Sequence, residues 1–126
     1  MIARRHFVSI TDTAGRFTGR GMVGQARALE LLDGFVAAGN GGRAVFAIIS
    51  DHDGRIELHR GRSGLSGVVT ARAARPAALG GILPARDAVV WQVKDLSTEE
   101  AKRVVISLYA LSADAFRIAV ERELTG

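Results

Sequence analysis

A chain of 126 residues, 48% apolar and 24% charged, has the composition of one folded domain, long enough to remove roughly two-thirds of its unfolded surface from water. It has no cysteine, which excludes disulfides, thiolate metal sites and a cysteine nucleophile. No stretch approaches the ~18 apolar residues of a bilayer span, and Met1 to His6 lead into no apolar signal region, so a soluble, cytoplasmic protein with no membrane attachment is expected.

The net charge of +4 is uneven: residues 1–86 carry 12 Arg and Lys against 6 Asp and Glu, and residues 87–126 carry 5 against 7. A basic excess of this kind suits an anionic partner. It is also what a GC-rich genome writes without functional demand, since 15 of the 17 basic residues are arginine.

In chain order, Phe7, Val8, Ser9 and Ile10 alternate, Thr11 to Arg16 supply turn chemistry, and Phe17 and Thr18 resume an extended pattern, predicting a hairpin. From Val23 to Ala38 apolar residues fall at Val23, Ala26, Leu29, Leu32, Phe35 and Val36, the spacing of a helix stopped by Gly39, Asn40, Gly41 and Gly42. The apolar run Ala44 to Ile49, the turn Ser50 to Arg55 and the alternation Ile56, Glu57, Leu58, His59 predict a second hairpin. The two hairpins align at an offset of 39 residues, Phe7 on Phe46, Asp12 on Asp51 and Gly15 on Gly54, which reads either as shared turn chemistry or as a duplication.

Residues 61–87 read as a long loop. Gly61, Gly64, Gly67, Pro76, Gly80, Gly81 and Pro84 break every periodicity except a brief extended piece at Val68, Val69 and Thr70. Ala88 to Val93 then read as a buried strand. Ser97 and Glu100 have the spacing of a capping box opening a helix whose apolar positions continue to Leu124. Glu99 with Arg103 and Arg117 with Glu121 are spaced for i,i+4 pairing. Unbroken, that helix spans about 40 Å, and Ser112 or Asp114 is placed to cap a second helix after a kink near Leu111. The fold class expected is α+β, an antiparallel or mixed sheet of four to five strands with helices packed on it, in the order ββα-ββ-(β)-β-α with the bracketed strand at Val68 to Thr70, in a single domain over residues 1–126. The element order is similar to that of profilin-like, longin and roadblock domains, a likeness of topology alone.

The densest group of titratable residues is Asp51, His52 and Asp53, with His59 on the returning strand. Such groups offer hard ligands to a divalent ion or a proton relay. The spacing does not fit a calcium loop, because Gly54 is fourth and Arg62 twelfth from Asp51, and Asp-x-Asp-Gly is ordinary turn sequence. Gly19 to Gly24 match Gly-x-Gly-x-x-Gly before a helix, where amides receive phosphate, but they follow a hairpin strand and not the first strand of a parallel unit. No nucleophile elbow, zinc-helix motif or phosphate-loop motif occurs, and nothing in the sequence calls for a cofactor.

Three functional readings follow. The first is a small binding or regulatory module that engages an anionic partner, nucleic acid or an acidic protein surface, through Arg60, Arg62, Arg72, Arg75 and Arg86, with Arg16 and Arg20 assisting. The second is an interaction scaffold or homodimer built on the C-terminal helix or a sheet edge. The third is a small enzyme using Asp51, His52, Asp53 and His59.

Overall fold

The computed structural model describes residues 5–12, 14–38, 44–61, 63–72 and 88–125, with the backbone alone at Thr18, Arg20, Ala88 and Thr125. Alternating segments become six strands: β1 (His6–Thr11), β2 (Phe17–Met22), β3 (Val45–Ser50), β4 (Arg55–Arg60), β5 (Leu65–Arg72) and β6 (Ala88–Leu96). They hydrogen-bond in the order β2-β1-β3-β4-β5-β6, every neighbouring pair antiparallel. The helix α1 (Gln25–Ala37) carries the chain from β2 over β1 to β3, so β2 and β3 run the same way with β1 between them. The protein is α+β, with six strands where four to five were expected.

β5 is the bracketed strand, longer than the extended piece at Val68 to Thr70 and drawn from the segment otherwise read as a loop. Glycine in a strand ordinarily weakens it or marks a close backbone approach, and the second case applies at Gly67. It pairs with Leu58, and a Cβ there would collide with the Glu57 carbonyl. Glycine is what permits β4 and β5 to lie together, so the residue that looked like a breaker belongs to an interior strand of the sheet.

The C-terminal helical pattern is two helices, α2 (Thr98–Ala110) and α3 (Ala113–Thr125). Ser97 Oγ accepts from the Glu100 amide at 3.1 Å while the Glu100 carboxylate accepts from the Ser97 amide at 3.0 Å, completing the capping box. These bonds hold the Glu100 carboxyl below the usual carboxylate range. The chain breaks at Leu111, and Ser112 opens α3 by accepting the Ala115 amide on its hydroxyl and the Phe116 amide on its carbonyl. Folding back places α3 against β5 and β6 and buries Phe116 and Val120. Arg103, spaced for Glu99, instead bonds Glu123 of α3 at 2.7 Å, and Lys102 ties α2 to Asp33 of α1 at 2.8 Å.

All three helices share one face of the sheet. Val8, Phe46, Ile48, Ile56, Leu58 and Val69 point into the layer formed by Leu32 and Phe35 of α1, Val105 and Leu108 of α2 and Phe116 and Val120 of α3. Each such side chain contributes about 1.5–3 kcal/mol by leaving water. Trp91 lies half-buried against this core. The 39-residue alignment does not preserve facing. Phe46 is in the core, whereas its counterpart Phe7 pairs with Ile49 on the opposite face, and the turns differ too, with positive φ at Gly15 in the first and at Asp53 in the second.

Candidate functional site

Cross-strand pairing sorts the face away from the helices into three rows. Thr11, Val45, His59 and Ser66 form one, with Lys94 beside Ser66; Ser9, Ala47, Glu57, Val68 and Gln92 form the next; Met22, Phe7, Ile49, Arg55, Thr70 and Val90 form the third. Among the described residues no second layer covers this face. Among the described residues, Phe17 (63% exposed), Met22 (57%), Val90 (56%) and Ile49 (44%) are four of the six exposed large hydrophobics, and all four belong to it. The other two, Ile106 and Ile118, lie on the helices.

The charges here are largely cancelled. Arg55 bonds Glu57, its neighbour two residues along the same face, and Arg72 places Nε and Nη2 on one Asp53 oxygen at 3.1 and 2.9 Å. Among the described side chains of the face, Lys94 is the cation left without a carboxylate partner.

Lys94 stands at an irregularity with a physical cause. Between the pairs Leu65 with Leu96 and Gly67 with Val93, β5 spends one residue, Ser66, and β6 spends two, Lys94 and Asp95. Asp95 takes a left-handed φ of 57° and donates its amide to Ser66 Oγ at 3.2 Å. This is a β-bulge, a device that re-aims side chains. Beside it lies a hollow of about 680 Å³, lined by the apolar Val45 and Val68 and by the polar His59, Ser66, Gln92 and Lys94.

The Asp51, His52, Asp53 turn is occupied by structural bonds. Asp51 accepts the Arg5 amide at 3.0 Å, and Asp53, at a left-handed φ of 70°, holds Arg72. His52 turns under α2, where its Nε2 donates to the Leu108 carbonyl at 3.2 Å. The buried His6 Nε2 donates to the same oxygen at 3.1 Å. A carbonyl only accepts, so both rings carry hydrogen on Nε2 and fill the two lone pairs of a last-turn carbonyl. Positive φ falls on Asp53 and not on Gly54. Gly54 is required for space, since a Cβ there would lie 2.5 Å from Leu108 Cδ1 and 2.6 Å from His52 Cε1. His59 is at the far end of β4, paired with Val45 and Ser66, so the structure does not bring it to Asp51 and Asp53. Among the described residues no group of three or more His, Asp or Glu is placed to hold a metal ion.

Tyr109 completes this junction. It stacks on His6 with ring centres 3.9 Å apart and donates to the Val23 carbonyl at 2.9 Å. Burial pushes its phenol up from 10.0 to about 12. The folded chain therefore holds this proton more tightly than the unfolded chain, and the associated stability is full below pH 10 and lost as pH rises through about 12. As the chain has a single tyrosine, a phenolate absorbance titration reads it directly. A midpoint near 12 in native protein and near 10 in denaturant is expected.

Three arginines of the basic reading, Arg16, Arg60 and Arg72, have described side chains. Arg16 sits 3.7 Å from Asp12 in the first turn, Arg72 is held by Asp53, and Arg60 is half-buried at the end of β4. The Arg20 backbone is in the edge strand β2; Arg62, Arg75 and Arg86 lie outside the described residues. Gly19 and Gly21 of the glycine motif are strand residues of β2, not a loop around a helix start. The apolar face itself went unread, although it left a signal. Ala44 to Ile49 and Ala88 to Trp91 are continuous apolar runs, the pattern of strands covered on both faces, and helices cover only one. Among the described residues no helix is long and apolar enough to cross a membrane. No family model, curated protein or solved structure matches the chain.

Proposed function

We propose that the chain is a cytoplasmic protein-interaction module that pairs with a second copy of itself through the uncovered face of its sheet, the two sheets stacking about 10 Å apart. The supporting observation is that β3 and β6 are apolar on both sides: Phe46, Ile48 and Val93 are buried beneath the helices, while Ile49 and Val90 stand exposed opposite them. Met22, Phe7 and Ile49 adjoin along one row, with Val90 at its other end beyond Arg55 and Thr70, and an exposed apolar patch marks an interaction surface.

The choice of a second copy rests on charge and size. With Arg55 tied to Glu57 and Arg72 to Asp53, two such faces approach without strong like-charge repulsion, and a highly charged partner finds little to neutralise. Six strands about 4.8 Å apart and some 20 Å long give roughly 500 Å² of flat area. Pleating and side chains raise this toward the ~800 Å² per partner of a standard interface. An anionic partner held by the arginines has less support, because Arg16 and Arg72 already direct donors at Asp12 and Asp53.

Ile49→Asp places a charge at the centre of the proposed interface and is expected to weaken pairing at least a hundredfold by light scattering. Ile118→Asp, on the helix layer, is expected to leave it unchanged. Equal behaviour of the two variants would remove the sheet face from the reading.

A further inference from the structure

We propose that the hollow beside the β6 bulge binds a small aliphatic carboxylate, its charged end at Lys94 and its chain against Val68. The volume, about 680 Å³, lies within the roughly 300–1,000 Å³ range of small-molecule sites. The row of His59, Ser66 and Lys94 brings polar groups from three adjacent strands, Val45 stands at the β3 end of that row, and Val68 lies beside Gln92 in the next.

The bulge explains why this end suits an anion. Spending two residues of β6 against Ser66 places Lys94 beside the Ser66 hydroxyl. That hydroxyl oxygen already accepts the Asp95 amide at 3.2 Å, so its hydrogen remains to be donated outward. Gln92, in the next row, brings an amide. The one carboxylate lining the hollow, Glu57, is bonded to Arg55, leaving Lys94 to set the local sign. An ammonium ligand meets like charge, a neutral alcohol forgoes the ionic bond, and a carboxylate takes a charge-assisted one.

The site stands without the pairing of two copies, but both use the same face, so titrations belong on the original chain and on Ile49→Asp. Octanoate is the probe, with octylamine and octanol as controls, read by calorimetry. Octanoate is expected to bind both proteins in preference to the controls, and about tenfold or more weaker to Lys94→Gln. No heat with octanoate, equal binding of octylamine, or an unchanged affinity in Lys94→Gln would overturn the assignment. Light scattering on the same samples separates the two proposals. A monomer that binds octanoate fails only the pairing, and a dimeric original chain whose monomeric Ile49→Asp variant ignores octanoate fails only the carboxylate site.

Discussion

Gly67→Ala is expected to cost the protein more than about 3 kcal/mol, a large fraction of the 5–15 kcal/mol that holds a typical domain together. Gly67 pairs with Leu58 on an interior strand of the sheet at φ +157°. A Cβ there would meet the Glu57 carbonyl carbon at 2.9 Å and Leu58 Cα at 3.1 Å, and would overlap the Glu57 carbonyl oxygen. These are backbone atoms of a neighbouring strand and cannot rotate aside as a side chain can. Relief requires β4 and β5 to separate, which breaks ladder bonds and opens the core between Leu58 and Val93. Gly34→Ala provides the opposite case. Gly34 lies inside α1, and a Cβ there meets nothing within 4 Å, so alanine is expected to stabilise by about 1 kcal/mol through helix propensity. Urea midpoints of both variants check the pair. A Gly67→Ala midpoint equal to that of the original chain would mean that the two strands are not as close as described.

The second large effect is expected at His6. Its ring is buried, stacks on Tyr109 at 3.9 Å and donates to the Leu108 carbonyl at 3.1 Å. His6→Ala removes the stack and one of two donors and leaves a cavity, a loss of about 2–4 kcal/mol. His6→Phe restores the packing and not the donor, while His52 continues to serve the carbonyl, so a loss of about 1–2 kcal/mol is expected. A Phe variant as damaged as the Ala variant would show that the bond, and not the ring, dominates at this site. Because the contact joins the first strand to the end of α2, 102 residues apart, loss of His6 is also expected to increase amide exchange in α2.

Local chemistry was legible in the sequence where it depends on neighbours along the chain. Asp12 accepts the Ala14 and Arg16 amides at 2.9 Å as a turn aspartate should. The capping box at Ser97 and the restart at Ser112 stand where their residue types place them. What was not legible depends on distant partners. Only the Val68 to Thr70 piece of β5 was legible, because glycine looks the same in sequence whether it ends a strand or lets one backbone approach another. Asp51, His52 and Asp53 resemble a site by composition, yet three different distant groups occupy them: the Arg5 amide, the Leu108 carbonyl and the Arg72 guanidinium. The candidate face was hidden in the runs of β3 and β6. An unbroken apolar run gives no contrast between its faces, and only the placement of the helices reveals which side is left uncovered.

Pairing is tested most directly by the molar mass of the unmodified chain in sedimentation equilibrium over a wide concentration range. A mass rising to twice 13.4 kDa and holding there is the expected result. A single species of 13.4 kDa at every concentration would contradict it and leave the apolar face to some other use.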